Sequence, residues 1–116
     1  MNYSPILIVS GEPNSIFLEI FFKTLKFEKI KSPLILISSE KLVKLQMKKL
    51  NYNNKIKIIN PKKISEYKLD NKTINLINIE FSQKKAFEKI SKKSKKFIKN
   101  SFEIAIEIIK KYKISK

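Results

Sequence analysis

The sequence predicts an α/β protein with a mostly parallel sheet and flanking helices, and three observations carry that prediction. Two short apolar runs, Ile6-Leu7-Ile8-Val9 and Leu34-Ile35-Leu36-Ile37, show no polar alternation, as strands buried on both faces do. Each is followed within a few residues by a stretch with helical apolar spacing. The resulting order of strand, helix, strand, helix, strand, strand, helix is that of sheets whose strands are joined by crossovers.

The first strand lies between Pro5 and the turn residues Gly11-Glu12-Pro13-Asn14-Ser15. Asn14 or Ser15 can cap a helix over 16–26, because their side chains can accept from its free N–H groups. This helix is apolar nearly all round: only Glu19, Lys23 and Lys26 form a polar stripe. A sheet covers one side of such a helix, and the rest asks for a second domain or subunit. Pro33 precedes the second strand, and Ser38 or Ser39 can cap the next helix, whose apolar residues are Leu42, Val43, Leu45, Met47 and Leu50. Asn51-Tyr52-Asn53-Asn54 is a turn cluster. Lys and Ile then alternate over 55–60 before Pro61, the pattern of an exposed or edge strand.

Residues 62–73 read as a polar loop with one weak helical turn. Residues 74–79 read as a fourth strand interrupted by Asn75 and Asn78. The last helix runs from about Ser91 to Tyr112. Its spine is Ile98, Phe102, Ala105, Ile109 and Tyr112, widened by Phe97, Ile104 and Ile108. A helix in a doubly wound fold normally feeds another strand, so a single unit spanning 1–116, cut before its next strand, is expected.

The composition narrows the chemistry. There are 116 residues with 26 Lys, no Arg, no His, no Cys and a net charge of +16. Absence of Cys excludes disulfides and thiolate metal sites, and absence of His excludes imidazole ligation and His acid–base catalysis. The charge suggests an anionic partner such as nucleic acid. Yet Lys, Ile and Asn are encoded by A/T-only codons, and selection for phosphate binding should have kept some Arg. The Lys excess therefore reads mainly as codon bias. No apolar run approaches the roughly 20 residues that cross a bilayer, and no basic segment precedes Ile6 as in a signal peptide. A cytoplasmic protein without membrane contact is expected.

The candidate cleft-lining residues are Gly11, Glu12, Asn14 and Ser15. They follow the first strand at the sheet edge where α/β folds collect ligands. The loop is a poor phosphate cradle, with one Gly, a Pro lacking N–H and a repelling Glu12, and it fits neither a dinucleotide fingerprint nor a P-loop. Residues 1–22 hold two Glu and no Lys, so the ligand-side segment is the acidic part of a basic chain. The densest basic cluster is Lys92-Lys93-Ser94-Lys95-Lys96, extended by Lys84, Lys85 and Lys89. It is either a phosphate-backbone patch or a solvated helix face. The tyrosines are not interleaved with it as a base-stacking platform requires. Asp70 with Glu66, and Glu103 with Glu107, form no catalytic or metal-binding constellation.

The run from Ile6 to Ile16, a buried strand followed by Gly-Glu-Pro, two small residues and Ile before a helix, resembles the start of 4-hydroxythreonine-4-phosphate dehydrogenases. Thr73-Ile74-Asn75-Leu76-Ile77-Asn78 resembles a strand of that family, and 91–111 resembles the long helix after it. Positions the family usually fills with Gly are Ser15 and Phe17 here, and a usual Pro is Leu18. The resemblance covers the whole chain but only about the first third of such an enzyme.

It implies the incomplete amino-terminal part of an isopropylmalate-dehydrogenase-like fold. It further implies NAD-dependent oxidation of a phosphorylated amino-acid substrate in pyridoxal 5'-phosphate (vitamin B6) biosynthesis. In the complete homodimer a divalent metal is held by His residues, one of them from the partner subunit. Those His residues, and a Gly-Pro-x-x-Lys segment on the next strand, would lie beyond Lys116, leaving the 116 residues inactive alone, with no catalytic or metal residue among them. The alternatives are a small basic nucleic-acid-binding α/β protein and a stand-alone α/β interaction module that dimerises through its first helix.

Overall fold

A computed structural model describes residues 5–11, 16–80 and 92–112, with the main chain alone at 92–94 and 111–112. The elements are β1 (Ile6–Val9), α1 (Phe17–Phe27), β2 (Leu34–Ser38), α2 (Glu40–Leu50), β3 (Ile56–Ile58), a 3-10 turn at Pro61–Glu66, β4 (Ile74–Asn78) and α3 (Lys92–Tyr112). The strands form one sheet in the order β1-β2-β4-β3, and every neighbouring pair is parallel.

Crossover handedness sorts the helices between the two faces. The steps from β1 to β2 and from β2 to β3 advance in the same direction, so right-handed connections place α1 and α2 together on one face, where they touch. The step from β3 back to β4 reverses direction and sends the 3-10 turn to the other face. There α3 packs against that turn and against β1 and β2. The two inner strands are covered on both sides: all of Leu34–Ser38 and all of residues 74–77 are buried. This is why those runs carry no polar alternation. Ile35, Leu36, Ile37 and Leu76 are wholly inaccessible, each contributing about 1.5–3 kcal/mol by leaving water. β3 is an edge strand of three residues with Lys57 between its isoleucines, as the Lys–Ile alternation implies.

The two asparagines of β4 support the strand. Asn75 is buried and donates from its amide to the main-chain oxygens of Leu34 (3.1 Å) and Asp70 (2.7 Å). Asn71, in the preceding loop, accepts from Leu34 N–H (2.8 Å) and donates to the oxygens of Ile30 (3.1 Å) and Ser32 (2.9 Å). The polar loop is thereby tied to the entry of β2. Asn51 ends α2 in the left-handed conformation, which its short amide side chain tolerates.

Two local expectations need correction. α1 opens after Ile16, which offers no capping side chain, rather than directly after Asn14 or Ser15. On α3 the buried line is Phe97, Ser101, Ala105 and Ile108, with Ile98, Ile104 and Ile109 partly buried, whereas Phe102 is 48% exposed. The spine is rotated by one residue from the one the apolar pattern suggests. Ser101 can face the core because its hydroxyl donates to Phe97 O at 2.8 Å, leaving no unmet donor.

Candidate functional site

In open parallel sheets, ligands collect beyond the carboxyl ends of strands, at the point where neighbouring strands send their chains to opposite faces. β2 leads into α2 on one face, and β4 precedes α3 on the other, so this point lies between β2 and β4. The residues there are Ser38, Ser39 and Asn78, flanked by Ser10 and Gly11 at the end of β1. Ser10 and Ser38 are buried, and the Ser10 hydroxyl donates to Ser38 Oγ at 3.1 Å. The ladder continues past the strand ends through Ser10 N–H to Ile37 O (3.3 Å) and Ile79 N–H to Ser38 O (2.7 Å).

The amino end of α2 meets this edge but is closed by its own chain. Ser39 Oγ accepts from Leu42 N–H at 3.2 Å, and Asn78 Oδ1 accepts from Glu40 N–H at 2.8 Å across the gap between β4 and α2. Glu40 adds a negative charge in the first turn, paired with Lys44 at 3.1 Å. Two N–H groups that could greet an anion are already satisfied, so this helix end is a structural joint rather than a phosphate cradle.

Of the loop singled out in the sequence, Gly11 is described, whereas Glu12, Asn14 and Ser15 lie outside the described residues. Gly11 takes φ +71°, and a Cβ built there would meet nothing within 4 Å. Glycine is needed here to turn the chain out of β1, not to admit a close neighbour. Phe17 and Leu18, which depart from the family's usual Gly and Pro, belong to α1. Leu18 is buried, and the Phe17 ring stacks with Phe21 at 6.4 Å between centroids. Close ligand approach at these two positions gives way to helix packing.

Lys29, Lys31, Lys55, Lys68 and Lys72 are exposed on the loops at the amino edge, beside Glu28 and Asp70. The described residues after the carboxyl ends of β1, β2, β3 and β4 include Gly11, Glu40 with Lys41, Lys62 with Lys63, and Glu80. In the Lys cluster before and within α3, Lys95 and Lys96 are exposed, as on a solvated helix face, while the side chains of Lys84, Lys85, Lys89, Lys92 and Lys93 lie outside the described residues. Asp70 accepts from Lys72 N–H in a tight turn, and Glu103 approaches Lys99 at 4.0 Å. Neither forms part of a catalytic group. The sequence contains no His or Cys, and among the described residues no three carboxylates cluster in a way that could hold a metal. No described helix is long and apolar enough to cross a membrane.

Sequence reasoning marked Ser38 and Ser39 as caps but missed the Ser10–Ser38 pair and the Asn78 bridge. An asparagine ending an apolar strand run was the available signal, since a polar residue there needs a partner.

The chain overlays a 4-hydroxythreonine-4-phosphate dehydrogenase from Burkholderia phymatum with a TM-score of 0.84 at 19% identity, over 98% of its own length. It shares the fold of part of that enzyme. A Salmonella typhimurium protein assigned as a 4-hydroxythreonine-4-phosphate dehydrogenase gives a TM-score of 0.78 at 22% identity, again over 98% of this chain. In both cases this chain spans 35% of the other's length. No protein-family profile and no curated protein sequence matches it.

Proposed function

We propose that this chain is the amino-terminal portion of an NAD-dependent 4-hydroxythreonine-4-phosphate dehydrogenase, serving pyridoxal 5'-phosphate synthesis in the cytoplasm as part of a homodimer. The observation that carries this reading is the overlay along 98% of the chain on structures about three times as long. A glycine with positive φ two residues after β1 agrees with the Gly-Glu-Pro turn on which the sequence resemblance rests.

In this reading the unit supplies one wall of a substrate cleft. β1 brings Gly11 to the carboxyl edge, where the Ser10–Ser38 and Asn78–Glu40 hydrogen bonds tie the strand ends together. Glu12 would accept a hydrogen bond from a substrate hydroxyl or amine. With no His or Cys present, the residues of this chain do not fit the divalent metal that the family implies. That metal and the residues for hydride transfer belong to the rest of the enzyme and its partner subunit.

Titration of the 15N-labelled chain with 4-hydroxythreonine 4-phosphate tests the cleft. Amide shifts at Ser10, Gly11, Ser38 and Asn78 are expected. Shifts confined to Lys29, Lys31, Lys55, Lys68 and Lys72 would mean simple charge attraction and contradict it.

A further inference from the structure

We propose that the side-chain amide of Asn78 is a ligand contact of this unit, donating to a carboxylate at the carboxyl edge of the sheet. The inference deepens the substrate-cleft reading above and rests on it for the identity of the ligand.

The sheet register sets the site. Ile8, Leu36, Leu76 and Ile58 lie side by side across β1, β2, β4 and β3, and register partners in a parallel sheet share a face. Two residues further along, the same face carries Ser38 and its register partner Asn78. Ser10 stands beside Ser38, with 3.1 Å between the hydroxyl oxygens. The rows therefore change from apolar to polar at the edge where parallel sheets collect ligands.

This polar row has donors to spare. The Asn78 amide oxygen accepts from Glu40 N–H at 2.8 Å. Only the oxygen can accept from a main-chain N–H, so the amide is held one way round. Its oxygen is spent, and its NH2 is what it can offer a ligand. That NH2 has no acceptor among the described residues, and Asn78 is exposed. Behind it, Ser10 donates to Ser38, and the proton of the wholly buried Ser38 hydroxyl has no acceptor among the described residues. Rotation of the two hydroxyls reverses this bond, which satisfies Ser38 and frees the Ser10 proton for a second contact.

The chemistry of these donors selects the ligand. Amide and hydroxyl groups carry no charge, and the charged residues that follow Ser39 and Asn78 offset one another. Glu40 is paired with Lys44 at 3.1 Å, and the exposed Lys41 and Glu80 are opposite in sign. Such a set suits a singly charged carboxylate better than a doubly charged phosphate, which calls for cations or several main-chain donors. The amino end of α2 does not supply those donors, because Glu40 N–H and Leu42 N–H are already bonded. In a phosphorylated amino acid, Asn78 therefore takes the carboxylate and leaves the phosphate to other groups.

The 15N-labelled chain is titrated separately with L-threonine, inorganic phosphate and 4-hydroxythreonine 4-phosphate, and the Asn78 side-chain NH2 signals are followed. Threonine and the phosphorylated amino acid should move them, and phosphate should not. Asn78→Asp keeps the acceptor for Glu40 N–H and loses both donors. Its Tm should not fall below the parent's, while its affinity for both amino acids drops roughly tenfold or more. Asn78→Ala should lose affinity and Tm together. An Asn78 NH2 unmoved by threonine, or moved as far by phosphate alone, would overturn the inference. So would an Asn78→Asp variant that binds as the parent does. Substrate shifts at Ser10 and Gly11 beside a silent Asn78 NH2 would overturn it and leave the dehydrogenase reading standing. Threonine bound at Asn78 without any binding of the phosphorylated substrate would uphold the carboxylate contact and overturn that reading.

Discussion

Replacing Asn71 by alanine should destabilise the protein by about 2–3 kcal/mol. The side chain makes three hydrogen bonds to main-chain groups: it accepts from Leu34 N–H and donates to Ile30 O and Ser32 O, all between 2.8 and 3.1 Å. A hydrogen bond contributes about 1 kcal/mol net, and a buried group left unpaired costs about 1–3 kcal/mol. Asn71 is only partly buried, so water recovers some of the loss and holds the sum near the lower end. In a domain of this size, 2–3 kcal/mol lowers Tm by roughly 10 °C. Urea unfolding at unchanged m-value measures it. Asn71→Asp sharpens the test, because a carboxylate keeps the acceptor for Leu34 N–H but turns both donor positions into acceptors facing carbonyl oxygens. The aspartate variant should lose at least as much stability as the alanine one. A loss below 0.5 kcal/mol for Asn71→Ala, or an aspartate variant as stable as the parent, would refute the assigned bonds.

Three further outcomes follow from the same geometry. Ser39→Ala removes the α2 cap and should cost about 1 kcal/mol in urea unfolding, with Ser39→Asp restoring most of it. Gly11→Ala should cost about 1–2 kcal/mol through its φ of +71° alone; because a Cβ there meets no neighbour, Gly11→Asn should recover part of that loss. Binding to duplex DNA should stay sequence-blind, with dissociation constants of about 10⁻⁴–10⁻⁶ M that weaken steeply with salt, since most of the described lysines are exposed to solvent and the sequence interleaves no tyrosine with its densest Lys cluster. Tight binding that discriminates between sequences in a gel-shift or anisotropy assay would revive nucleic acid as the partner.

Much of the architecture was legible because the inner strands announce themselves. Continuous apolar runs at 6–9 and 34–37 read as strands covered on both faces; the structure buries all of 34–37, whereas in the edge strand β1 only Leu7 is buried and Ile6, Ile8 and Val9 are partly covered. The Lys–Ile alternation correctly marked the β3 edge. The sequence was less informative where polar residues act through partners distant along the chain. Asn75 and Asn78 read as interruptions because nothing local shows that they reach Leu34, Asp70 and Glu40. The α3 spine came out one residue off because Phe102 is as apolar as the core but lies on the exposed side, while Ser101 hides its hydroxyl in the helix. Strand order was likewise out of reach, since β4 inserts between β2 and β3 through contacts that no sequence period encodes.

The central claim is that this unit belongs to a larger dehydrogenase, and the natural gene on the far side of the Lys116 codon tests it most directly. The account predicts a reading frame that continues into a strand carrying Gly-Pro-x-x-Lys and then into metal-binding His residues. A stop codon directly after Lys116 would contradict it.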